Sequence, residues 1–267
     1  MAMPSFMSVQ ISAIRTLPTG GHKCVIAGTG FLVSHEDDMY LVTNGHIVTG
    51  RHRLTDNYLG LPALPDFLEA TFPISGVPLG ETGSSPIGTR TQNIPLYDEK
   101  DRSLWLVDPR FGRRTDVVAI PLSGLHKQRL TPQVPTLIPY SMADSVPVSD
   151  LEPAQDISVV GFPFGLTAGA RSAIWVRGTV ASEPWAGFEG DACFLIDART
   201  REGQSGSPCI VPRSSEEGAA AADEIPWRLV GIYSGRTDSA SDLGRVWPVS
   251  VLSTILDVRS RDKMQLI

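Results

Sequence analysis

Three short strings in this chain hold residue types that can carry out one chemistry between them. In chain order they are Thr43-Asn44-Gly45-His46, Thr115-Asp116-Val117-Val118-Ala119-Ile120 and Gly203-Gln204-Ser205-Gly206-Ser207-Pro208. A serine hydroxyl is a poor nucleophile at neutral pH. It attacks a carbonyl when a base takes its proton and a carboxylate holds that base in the right tautomer and stabilises its charged form. His46, Asp116 and Ser205 supply one of each. Gly203 and Gly206 flank the serine, which permits a tight turn that exposes the hydroxyl and aims the N–H groups of Gly203 and Ser205 at one point. Two such donors would bind a developing oxyanion, and removing one of that kind typically costs about 100- to 1,000-fold in rate.

Other residues compete for these roles. Asp108 in LVDPRFG, or Asp101, could serve as the carboxylate, but the apolar run directly after Asp116 gives that residue a rigid strand. His22, His35, His52 and His126 lack a comparable context and read as surface residues. None has ligand spacing with the cysteines, so neither a metal nor a cofactor is expected. A serine between glycines also suits the nucleophile elbow of an α/β-hydrolase. That motif needs glycine at the second position after the serine, where Ser207 stands, and the order serine, acid, histidine. Here the order is histidine, acid, serine.

The elements that must position these residues are short. Eight apolar runs, among them CVIAGTGFLVS, MYLVTNGHIV, DISVVGFPFG and WRLVGIYSG, are bounded by turn residues and lack helical periodicity. With Gly 25 and Pro 21 in 267 residues, the chain reads as all-β, a sandwich or a barrel. Only 249–258 carries apolar residues at three-and-four spacing, so one closing helix is expected over 249–260. The Pro- and Gly-punctuated stretch 51–110 reads as a long insertion between strands, and 213–223 as a mobile surface loop.

A formal charge of −6 offers no footprint for nucleic acid, and no apolar run is long enough to cross a membrane as a helix. The N-terminus has no basic residue ahead of a long apolar run, so a cytoplasmic address is expected. Cys24, Cys193 and Cys209, odd in number and each in an apolar run, read as buried free thiols in a reducing compartment.

Taken in order, the strings TNGH, DVVAI and GQSGSP, joined by Leu229-Val230-Gly231-Ile232-Tyr233-Ser234-Gly235, resemble those of the chymotrypsin/trypsin-like serine peptidases, in their bacterial, disulfide-free intracellular branch. The resemblance implies two six-stranded antiparallel β-barrels with a C-terminal helix and a site in the cleft between them. The whole of 1–267 would be one peptidase unit, with an N-terminal barrel over 8–125 carrying the 51–110 insertion and a C-terminal barrel over 150–248. The boundary would fall near 125–150. His46 would be the general base, Asp116 its orienting carboxylate and Ser205 the nucleophile of a serine endopeptidase. Its partner would be a polypeptide substrate, cleaved through an acyl-enzyme intermediate.

The departures matter as much. The aspartate that usually precedes the family's nucleophile is Gln204 here, so ordering of the oxyanion turn by a freshly cut N-terminus is excluded. The site is then formed from the start or ordered by something else, an activating protein partner or a signal. The half-cystine after the family's histidine is Ile47, and the spacing of 70 from His46 to Asp116 exceeds the family's usual separation. The resemblance also places Arg199 at the floor of the primary substrate pocket and Ser234, Gly235 and Arg236 along its wall, which would favour an acidic or polar residue before the cut bond. A reading from a different class is a pseudoprotease or protein-binding module on the same fold.

Overall fold

The structure, a computed structural model, describes residues 4–75, 87–122, 138–213 and 226–264. The first half begins with β1 (Ser8–Thr16), β2 (His22–His35) and β3 (Asp38–Thr43), which form an antiparallel meander. Alternate residues of β1, Val9, Ile11 and Ala13, are buried, as period-2 alternation on a half-covered sheet requires. A five-residue helix, α1 (Gly45–Thr49), follows and ends on Gly50 in the left-handed region, whose N–H donates to His46 O. Next come β4 (Phe67–Ser75), β5 (Ile87–Pro95) and β6 (Val118–Pro121). The sheet order is β5-β4-β1-β2-β3-β6, and β7 (Tyr140–Ser141) is a seventh strand pairing with β2 in parallel.

Much of the stretch expected as an insertion is therefore sheet. β4 and β5 pair residue for residue over nine positions, and β4 buries Leu68, Ala70 and Phe72 on one face. Prolines hid these strands. Pro95 lies on β5, at the end of the sheet path, and Pro73 lies beyond the Phe67–Thr71 segment that β1 engages. Both are places where a missing N–H breaks no central ladder.

In the second half, β8 (Asp156–Gly161), β9 (Ile174–Val180), β10 (Phe194–Ala198), β11 (Pro208–Pro212), β12 (Trp227–Arg236) and β13 (Leu243–Pro248) close into an antiparallel barrel in the order β10-β13-β12-β11-β8-β9. A helix, α2 (Val249–Val258), follows directly and buries Val249, Val251, Leu252, Ile255 and Leu256. The fold is that of a trypsin-like double barrel: one closed six-stranded barrel, a second sheet and a C-terminal helix. One apolar cluster joins the halves, since Phe31, Val33 and Tyr40 pack with Val160, Ile210, Trp247 and the buried face of α2.

The expected loop at 213–223, apart from Arg213, lies outside the described residues, as does much of the 125–150 boundary. All three cysteines are free; Cys193 and Cys209 are buried, but Cys24 is exposed. A register shift between Ala13 and Ile14 brings Cys24 opposite Ile14 and leaves Val25 as the residue turned inward. Among the described residues no helix is long and apolar enough to cross a membrane.

Because α2 closes the joint cluster, Ile255→Ala should cost about 2–5 kcal/mol through lost burial and a residual cavity. A thermal melt checks it, with a fall of about 2–4 °C for each kcal/mol in a chain of this size.

Candidate active site

His46 sits in the first turn of α1, where the chain leaves β3, and Asp116 stands two residues before β6, the strand paired with β3. Pairing of β3 with β6 therefore brings the two strings together across 70 residues. The Asp116 carboxylate grips the histidine twice. Oδ1 accepts the His46 backbone N–H at 2.9 Å, and Oδ2 lies 2.7 Å from ring Nδ1. Asn44 Nδ2 donates to the Asp116 carbonyl at 2.7 Å, tying the strand that carries the acid to the residue before α1.

Ser234, at the end of β12, donates its hydroxyl to Asp116 Oδ2 at 2.6 Å. The side chain expected along a substrate pocket is thus committed to the carboxylate. Burial alone would push the Asp116 carboxyl up. The His46 ring, the Ser234 hydroxyl and the His46 N–H outweigh it and hold the acid below the ordinary carboxylate range. Neither alternative acid reaches the histidine. Asp108 caps its own turn through the N–H groups of Arg110 and Phe111, and Asp101 lies in the turn that Asp98 organises.

Ser205 is partly exposed on the turn between β10 and β11. A Cβ built on Gly235, the neighbour of Ser234, would stand 3.9 Å from Ser205 Oγ, so the Ser205 hydroxyl lies beside the strand whose Ser234 bonds Asp116. Gly203 (φ +90°) and Gly206 (φ +84°) both occupy the left-handed region, and a Cβ at Gly206 would overlap Thr29 O. Among the described residues the N–H groups of Gly203 and Ser205 have no acceptor, whereas those around them are used. Gly206 N–H donates to Tyr233 O at 2.8 Å, and Tyr233 N–H returns to Ser207 O at 2.9 Å.

Thr29, which the motifs did not mark, and Gln204 hold this turn. Thr29, fully buried on β2, donates its N–H to Ser205 O and its hydroxyl to Gly203 O, both at 2.8 Å. Its Oγ1 also accepts the Phe162 N–H at 3.1 Å, and its carbonyl accepts the Thr43 hydroxyl at 2.8 Å. Gln204, fully buried, accepts the Arg201 N–H on Oε1 at 2.8 Å. The residue standing where the family carries an aspartate thus closes the turn on itself. Thr29 was readable only as a strand residue, and its one signal is the glycine on either side, Gly28 and Gly30.

The arginine-lined pocket is not assembled. Arg199 follows β10, and strand alternation buries Ala198 and Thr200 while turning Arg199 to solvent with its side chain 82% exposed. Arg236 turns along its own hairpin to donate to Ser239 O at 2.6 Å. Between these segments lies the phenol of Tyr233, fully buried, with its hydroxyl 2.5 Å from Thr200 Oγ1 and its ring against Gly244. His35, expected at the surface, is partly buried and pairs with Asp257 at 2.9 Å; His126 lies outside the described residues.

The chain matches the trypsin-like peptidase domain family over residues 28–216 and belongs to that family. The comparison with curated proteins finds no match. Among solved structures, the chain is similar to the serine endoprotease from Yersinia pestis, with 13% identity and a TM-score of 0.51 over 95% of this chain and 62% of that one. It is also similar to the inactive form of the Rv3671c protease from M. tuberculosis H37Rv, with 14% identity and a TM-score of 0.45 over 96% and 89%. At 13% identity the likeness to the Yersinia pestis endoprotease is one of fold alone.

Thr29→Val keeps the shape but strands the Phe162 N–H and removes the donor to Gly203 O. The expected loss is about 1–3 kcal/mol for each buried group left unpaired, read by urea denaturation. A second measurement follows from Asp116. An acid whose folded pKa is depressed stabilises the fold above its ordinary value of 3.8, and that contribution fades as pH falls through the folded value. The stability advantage of the wild type over Asp116→Asn should therefore be full at neutral pH and shrink below pH 3.8.

Proposed function

We propose that this chain is a serine endopeptidase in which Ser205 is the nucleophile, His46 the general base and Asp116 the orienting carboxylate. The observation that carries the reading is the double grip of Asp116 on His46. With Nδ1–H donated to Oδ2, the ring presents its unprotonated Nε2 on the opposite edge, the tautomer a base needs. Ser205 Oγ then forms a bond to the scissile carbonyl carbon as its proton passes to Nε2. The oxyanion takes the free N–H groups of Gly203 and Ser205. Collapse expels the amine, which leaves with the proton from Nε2, and a water repeats the sequence to release the acyl group and restore Ser205. Asp116 remains ionised throughout and stabilises the imidazolium that forms at each step.

Contacts within the chain favour a site completed on folding. Thr29, Tyr233 and Gln204 between them hold the turn from 201 to 207. An activating partner is the competing reading. The Tyr233 phenol precedes Ser234 and Gly235, whose positions resemble the family's pocket wall, and on that resemblance it would favour a small uncharged residue before the cut bond.

Fluorophosphonate should label Ser205 in the purified chain alone; labelling only in a partner's presence would show latency. Ser205→Ala should abolish both labelling and peptide cleavage. Asp116→Asn should lower kcat by about 10,000-fold with the structure retained. Full cleavage by Ser205→Ala would overturn the reading.

A further inference from the structure

Beside His46 lies a cavity of about 250 Å³, and its wall is markedly basic in an acidic protein. Arg51 and Arg53 reach it from the loop after α1, and Arg113 and Arg114 from the segment just before Asp116; His46 itself forms part of the wall. The only carboxylate in the wall is Asp56, and both its oxygens are engaged, Oδ2 by Arg51 at 2.6 Å and Oδ1 by Arg113 at 3.3 Å. Two further carboxylates stand behind the wall. Asp191 holds Arg53 at 2.6 Å, and Asp262 stands 3.5 Å from Arg113 while also accepting the Trp105 indole N–H.

Three carboxylates thus answer four guanidiniums, and the surplus falls on Arg114. Its carbonyl accepts from Arg53 at 2.9 Å, but among the described residues its guanidinium has no partner. Such an arrangement fixes three of the arginines as a rigid positive rim and leaves the fourth available for pairing. A concave site lined by one sign of charge focuses potential on whatever occupies it, and a guanidinium pairs with a carboxylate through two parallel bonds.

We propose that this cavity is a subsite for an acidic side chain, Asp or Glu, of the polypeptide substrate, at a position flanking the one that enters beside Tyr233. The inference rests on the endopeptidase reading, since His46, the base in that reading, forms part of the cavity wall. Selection for acid then comes from the His46 side of the cleft and not from Arg199 or Arg236.

The test is a set of internally quenched peptides, amidated at the C-terminus, that carry Glu, Gln, Ala or Lys in turn at each position around one cleavable bond. At one flanking position Glu should exceed Gln by about 5- to 30-fold in kcat/KM, mostly through KM, as a charge-assisted pair requires. Arg114→Ala should erase most of that ratio and Arg114→Glu should reverse it in favour of Lys. Arg177→Glu, an exposed arginine on β9 paired with Asp156, should leave the ratio unchanged. Folding is not at risk in the Arg114 variants, whose altered side chain is exposed. Labelling of Ser205 with no preference for Glu at any flanking position overturns the subsite and spares the endopeptidase reading; loss of labelling overturns the latter. A preference that appears only with a free C-terminal carboxylate also overturns the side-chain proposal.

Discussion

The structure depends on one buried threonine. Thr29 belongs to the first sheet by backbone pairing, yet its N–H and hydroxyl both serve the turn that carries Ser205 in the second half. A turn between two strands of a barrel would otherwise be free to adopt several backbone conformations, and two carbonyl oxygens on it would need partners away from water. Thr29 bonds the carbonyls of both Gly203 and Ser205, and among the described residues the N–H groups of the same two residues have no acceptor. The same side chain accepts from Phe162, so the segment after β8 is set by the same anchor.

A second tie crosses the cleft in the opposite direction. Asp116 and His46 come from the first half and are aligned by the pairing of β3 with β6, whereas Ser234 comes from the closed barrel. A carboxylate with so little access to water is costly unless its oxygens are filled. Here the His46 ring, the His46 N–H and the Ser234 hydroxyl fill them. The electrostatic requirement of one buried acid therefore aligns the two halves, and the apolar cluster beneath α2 makes that alignment rigid.

The two walls of the cleft differ in character. On the barrel side, the buried phenol of Tyr233 bonds Thr200 and packs on Gly244, so the wall is closed and neutral. On the His46 side the wall is open and basic. The charged side chains of this wall come from the loop after α1 and the segment before Asp116 rather than from strands, as is usual where a rigid frame supports variable connections.

His46, Asp116 and Ser205 stood out as candidates because the chemistry proposed for each demands a local context: an apolar run for the acid, glycines for the turn, a strand end for the histidine. Cβ-free positions and period-2 alternation are written residue by residue, so the all-β class and α2 were legible too. β4 and β5 were not, since Pro73 and Pro95 interrupt the pattern at positions outside the β1–β4 pairing, in the outermost ladder of the sheet. Nor were Thr29 and Tyr233, whose partners lie far along the chain, nor the solvent-facing turn of Arg199, which the pleat after β10 decides. The sequence by itself determined which residue types could do the chemistry and which short segments could be strands. Only the tertiary structure decided which arginines share a cavity, which hydroxyl serves the carboxylate and where Arg199 and Arg236 turn. Those depend on distances between segments many residues apart, and such distances are set by sheet register and barrel closure, which no local spacing encodes.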